Sequence, residues 1–177
     1  MLARSSTLGL IAAVALSMPS DPVSGFSFQS SGAVTLRVVG DSAQYALTPE
    51  PTNGKPVLAI SLGSTGASGA LYLYTAGDQL PRKGRYPIIM AREHEIDGGG
   101  RWFHACFMAG TAEHPVGVFH SESGWVTITD VEGGRITGEF EVRARGFLAT
   151  DSDDEDRWVT VRGTFTAAGD TSVASAS

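Results

Sequence analysis

The sequence predicts an all-β domain, an antiparallel meander of about eight to ten strands forming a barrel or a sandwich. Three observations carry this. The stretch from Gly124 to Val142 reads as a β-hairpin, because Val126 and Ile128 alternate with Trp125, Thr127 and Thr129. Beyond a turn at Val131-Glu132-Gly133-Gly134, Ile136, Phe140 and Val142 alternate with Arg135, Thr137, Glu139 and Glu141. A period of two, apolar on one face and polar on the other, marks a half-buried strand pair. The same alternation recurs along the chain at intervals of roughly 8–15 residues, between clusters of Gly, Pro, Asn and Asp. Past the N-terminus, no run of twelve residues keeps an apolar period of about 3.6. Glycine is 22 of 177 residues, against an average of about 7%, as many tight turns require.

The elements follow in order. Val34, Leu36 and Val38 form the first expected strand and Ala43, Tyr45 and Leu47 the second, with Gly40-Asp41 between them. Pro49, Pro51 and Pro56 mark a loop, since proline donates no ladder hydrogen bond. Leu58, Ile60 and Leu62 begin the next hairpin, and Leu71 and Leu73 answer them across a Gly/Ser-rich connection. Tyr86 to Ala91 is extended, and Gly98-Gly99-Gly100 turns the chain. Arg101 to Ala109 is apolar on both faces, which predicts a strand covered on both sides. Val116 to Ser121 leads into the central hairpin, whose second arm runs to Leu148 with a bulge expected at Gly146. Val159, Val161 and Phe165 make the last strand, and short connections favour neighbours in sequence as neighbours in space.

Residues 1–20 read as a signal peptide with its cleavage region, the alternative being an uncleaved N-terminal anchor or a disordered tail. Arg4 is followed by the apolar run Leu8 to Leu16, too short to span a bilayer comfortably, and by the small-residue pattern Ala15-Leu16-Ser17. Residues 21–31 read as a flexible lead-in, 32–166 as a single β-domain and 167–177 as a disordered tail. The expected location is therefore secreted or periplasmic, with no membrane span after signal removal. The net charge of −6 argues against nucleic acid and anionic membranes as partners. A lone cysteine, Cys106, excludes a disulfide within the chain. Its apolar neighbours Phe103 and Phe107 predict a small buried hydrophobe rather than a nucleophile.

No residue is predicted to be catalytic, cofactor-binding or metal-binding. His94, His104, His114 and His120 lie ten, ten and six residues apart, which matches no zinc pattern. Glu139 and Glu141 share the solvent face of the hairpin with Arg135 and Arg143, which Arg162 can join, as in a cross-strand charge ladder. Trp102, Trp125 and Trp158 could line a sugar or apolar pocket, but are expected rather to fill a barrel interior or brace a sheet. The acidic run Asp151 to Asp156 lacks the glycine and the closing bidentate acid of a calcium loop. It reads as a solvated connection of mutually repelling charges.

Ser123-Gly124-Trp125-Val126-Thr127-Ile128-Thr129 with Gly133-Gly134-Arg135-Ile136-Thr137-Gly138-Glu139-Phe140 resembles the "SGTVTIT…GGRVTGTF" hairpin of small secreted bacterial β-domains. Leu80-Pro81-Arg82-Lys83-Gly84-Arg85-Tyr86-Pro87-Ile88 is similar to their "LPxGxYPI" segment, and Val159 to Phe165 to their last strand. That family, of unknown function and often described as lipoprotein-like, brings no catalytic residues. This chain lacks its lipid-anchoring cysteine. The resulting expectation is a non-enzymatic secreted β-domain with a structural, interaction or ligand-binding role. Its partner would be a protein or a small apolar ligand. The alternative is a carrier of a small apolar ligand in a barrel interior, and the third reading is a metal-assisted hydrolase.

Overall fold

The computed structural model describes residues 24–49, 54–63, 66–90, 100–111, 113–150 and 156–169. Residues 1–20, expected to be a signal peptide, and most of the acidic run lie outside them. The described chain is all-β, with strands β1 (Gly25–Gly32), β2 (Leu36–Gly40), β3 (Ala43–Pro49), β4 (Pro56–Leu62) and β5 (Gly69–Ala76). β6 (Gly84–Ile89), β7 (His104–Gly110), β8 (Pro115–Glu132), β9 (Arg135–Leu148) and β10 (Arg157–Gly169) complete it.

The expected hairpin is the spine. β8 and β9 turn at Gly133 and Gly134, whose φ values of 58° and 71° suit residues without a Cβ. β10 lies antiparallel along the far edge of β9. Shorter strands attach to different stretches of these long ones. The C-terminal part of β8 pairs with β6, and its N-terminal part with β7. β10 carries β1 along Val159 to Thr166 and then touches β3 at Ala168 and Gly169. The path β10-β3-β4-β5-β7-β8-β9 closes a ring. All its pairings are antiparallel except the brief parallel contact of β10 with β3.

Two facing layers result. One is β2-β1-β10-β9-β8-β6, and the other is β3-β4-β5-β7 with the remaining halves of β8 and β9. Phe28 of the first layer meets Phe107 of the second edge to face, with ring centroids 6.1 Å apart, and Phe107 packs on Phe119 at 5.9 Å. Val126, Ile128, Ile136, Phe140 and Val142 all point inward and are buried, as the alternation predicts. Phenylalanine and aliphatic side chains, not tryptophan, fill the interior.

The structure departs from the sequence reading at four places. Residues 25–31, expected in the lead-in, belong to β1, which pairs with β10 from Gly25 to Gly32. Phe26 and Phe28 supply its buried face, and the Ser and Gly around them lower the local strand signal. Ala167 to Gly169, expected in the tail, end β10. Gly146 is not bulged. Register shifts lie elsewhere, in the β8–β9 pairing between Ser121 and Ser123, which flank Glu122, and between Ile128 and Asp130, which flank Thr129, and in the β7–β8 pairing between Ala109 and Gly110. Gly146 faces Phe119, and a Cβ there would meet the Val118 and Phe119 backbone, so its role is close approach. Finally, the meander holds over β3–β5 and β7–β10, but β6 leaves it to pair with β8 while β5 pairs with β7.

Candidate functional site

The outer face of the first layer gathers the chemistry-bearing side chains. Strand register aligns its outward residues in rows that cross the strands. One row reads Arg37, Gln29, Arg162, Glu141, Trp125, Pro87 from β2 to β6. The next reads Val39, Ser27, Thr164, Glu139, Thr127, Arg85. A third holds Gly25, Thr166, Thr137 and Asp130. Like-facing residues on a strand stand about 6.6 Å apart, so small side chains leave furrows between rows.

Two such furrows are present. The first has a volume of about 470 Å³ and is walled by Arg37, Gln29, Arg162 and Trp125 on one side and by Ser27 and Thr164 on the other. The second, about 450 Å³, lies between Ser27 and Thr164 and the hydroxyl-bearing Thr129, Thr137 and Thr166. They share Ser27, Glu139 and Thr164. The inward-facing Phe28, Gly163 and Phe140 form one row of the sheet, and their backbone lies under the first furrow.

Charges on this face are mostly satisfied locally. Arg162 Nε donates to Glu141 Oε2 at 2.8 Å, which realises the expected charge ladder. Such exposed pairs contribute at most about 1 kcal/mol. The Arg85 guanidinium lies 4.5 Å from the Trp125 ring centre, and that of Arg143 lies 4.3 Å from Trp158. Each stacking is worth roughly 0.5–1 kcal/mol at an exposed site. Trp125 and Trp158 therefore brace the sheet from outside. Arg37, Gln29 and Glu139 are exposed and have no hydrogen-bond or ion-pair partner among the described residues.

The opposite outer face carries an apolar patch beside a polar row of Gln44, Ser61, His120 and Arg145. Ala70, Met108, Val118 and Phe147 form a row across β5, β7, β8 and β9, with Phe147 58% exposed. Val116 and Tyr72 extend the patch.

The histidines divide. His94 lies outside the described residues, and His114 is exposed in the turn before β8. β7 and β8 are neighbours, so His104, Cys106 and His120 share one outward face, with Cys106 in register with His120. Among the described residues no group of three His, Cys, Asp or Glu side chains could hold a metal. Cys106 is half-buried, and burial pushes its thiol above the ordinary range, which disfavours the reactive thiolate.

His104 is buried and stacks on Tyr74, with ring centres 5.5 Å apart. Neither imidazole nitrogen has a hydrogen-bond partner among the described residues. Burial lowers its pKa from the ordinary histidine value, and the nearby Met90 backbone opposes that shift only in part. The unfolded chain thus binds the proton more readily than the folded one. This contribution to stability is fully present above pH ~6.5 and falls as the pH drops below it toward the folded pKa. The thermal midpoint should decline between about pH 7 and pH 5. In His104→Phe, which keeps the stacking, that decline should be shallower.

Sequence reasoning places Trp125, Glu139, Glu141 and Arg162 on this face but misses Ser27 and Gln29. The Phe-x-Phe alternation of Phe26 and Phe28 is the available signal for them. No family model, curated protein or solved structure matches this chain.

Proposed function

We propose that this chain is a secreted or periplasmic, non-enzymatic binding domain that holds its ligand on the furrowed outer face of the β2-β1-β10-β9-β8-β6 layer. The observation carrying this reading is the convergence of Trp125 with the unpartnered Arg37, Gln29 and Glu139 over one continuous pair of furrows. The N-terminal pattern of a charged residue, a short apolar run and small residues supports export.

A carrier would instead hold an apolar molecule between the layers, where Phe28, Phe107, Phe119 and Phe140 already pack. The furrows open on the outside of the sheet. A glycoside hydrolase would need one carboxyl kept protonated by desolvation beside an ionised partner. Glu139 is exposed, and Glu141 accepts a hydrogen bond from Arg162. A second role, docking a protein on the opposite face, is favoured by the exposed Phe147, Val116 and Tyr72.

Native mass spectrometry of the exported protein from its own host tests the leading reading against the carrier. The expected spectrum shows the polypeptide mass with no stoichiometric apolar small molecule. Such a molecule retained in the gas phase would overturn surface binding.

A further inference from the structure

We infer that the furrowed face binds a neutral, hydroxyl-rich carbohydrate chain laid across the strands, with Trp125, Gln29, Arg37 and Glu139 as its contacts. This inference rests on the binding role proposed above. It adds the chemical class of the ligand.

Shape comes first. The first furrow crosses β2, β1, β10, β9 and β8. Four interstrand steps of about 4.8 Å make it roughly 19 Å long, and it is about 6.6 Å between rows. An extended oligomer one ring wide fits such a track.

Charge comes second. Arg162 is matched by Glu141, while Arg85 and Arg143 lie over Trp125 and Trp158. The groups left in the furrow are Arg37 and Glu139, of opposite sign, with the neutral Gln29, Ser27 and Thr164. A polyanion would meet Glu139 and a chain of net charge −6. A neutral ligand meets no such opposition.

Hydrogen bonding comes third. Backbone groups beneath the furrow are engaged in the ladders of β1, β10, β9 and β8. Only side chains are offered, and they include donors, acceptors and hydroxyls that are both. A peptide recognised by strand addition would need an open edge running along a strand. The furrow crosses the strands instead. A sugar hydroxyl both donates and accepts, so it can satisfy Gln29, Arg37, Glu139 and Thr164 together. Trp125 lines the furrow with the Arg85 guanidinium over one face of its ring, so its edge and remaining face supply the apolar contact for the C–H groups of a pyranose.

The test is calorimetry on the exported protein with four probes: β-1,4-linked and β-1,3-linked glucohexaose, the N-acetylglucosamine hexamer and the galacturonic acid hexamer. At least one neutral probe should bind, with Kd between about 10 μM and 1 mM. Trp125→Ala should weaken it about tenfold or more, and Gln29→Ala and Arg37→Ala each about 2- to 10-fold. Gln44→Ala, exposed on β3 outside the furrowed face, should leave it unchanged. Gln29 and Arg37 are exposed, so their variants report binding even if Trp125→Ala disturbs the sheet. Failure of every neutral probe overturns the inference, as does binding that ignores all three furrow substitutions. If only the anionic probe binds and these substitutions abolish it, the neutral ligand is refuted while the binding face stands. If no probe binds and mass spectrometry finds a retained apolar molecule, both readings fall.

Discussion

Phe140→Asp is expected to abolish cooperative folding. Phe140 is 1% exposed, and its ring packs on Phe165 with centroids 6.3 Å apart. It belongs to β9, which both β8 and β10 flank, so no edge can open to let water reach a charge there. The substitution removes an aromatic side chain, which alone costs about 3–5 kcal/mol. It also buries a carboxylate with no cation beside it. Together these rival the roughly 5–15 kcal/mol by which a domain is stable. Thr137→Asp lies earlier on the same strand, on the outward face, where the Thr137 hydroxyl lies 3.2 Å from that of Thr166. It faces Asp130 across the strands, so a like-charge penalty of up to about 1 kcal/mol is expected. Thermal unfolding followed by near-ultraviolet circular dichroism separates them. Thr137→Asp should keep a cooperative transition, and Phe140→Asp should show none. Equal midpoints for the two variants would mean that the inward face of the hairpin is misassigned.

The hairpin was legible because its signal is local: alternation sustained from Gly124 to Val142 and two glycines at the turn. The same holds for β3, β4, β5 and the buried face of β10, each marked by alternating apolar residues. What was not legible is non-local. β1 has the weak composition of Gly25-Phe26-Ser27-Phe28-Gln29-Ser30, and only its pairing with β10 along its whole length makes it a strand. Nothing in the residues of β6 says that it should pair with β8 rather than with β5, its predecessor in sequence.

The candidate site was half legible for the same reason. Trp125, Glu139, Glu141 and Arg162 lie on strands whose facing is set by local alternation, so their shared surface could be read from the sequence. Ser27, Gln29 and Arg37 join them only because β1 docks on β10 and β2 on β1. The histidines teach the converse. His104 and His120 do come to neighbouring strands, but strand adjacency without a third ligand makes no metal centre among the described residues.

Gly163→Val should detach the β1–β2 wing from the sheet. Gly163 faces inward between Phe28 of β1 and Phe140 of β9, so it sits in a row with two large rings. A Cβ there would stand 2.6 Å from the Phe28 Cβ and 2.8 Å from its Cα, and would also meet the Ser27 carbonyl oxygen. These are backbone and first-carbon positions, which no rotamer change relieves. Overpacking of a core that can adjust costs about 1–3 kcal/mol, and here β1 must also give up pairing with β10. Phe26, Phe28 and Val38 would leave the core with it. The thermal midpoint should fall by about 10 °C or more. Hydrogen exchange should accelerate in β1 and β2 while β8 and β9 stay protected. Ser27, Gln29 and Arg37 ride on the wing, so carbohydrate binding should vanish together with that protection. Thr164→Val is the matched control for the thermal midpoint and for hydrogen exchange alone, because Thr164 points outward from the core but lines the furrow. A Gly163→Val protein with an unchanged midpoint and a protected β1 would show that the wing does not pack on β10 as described.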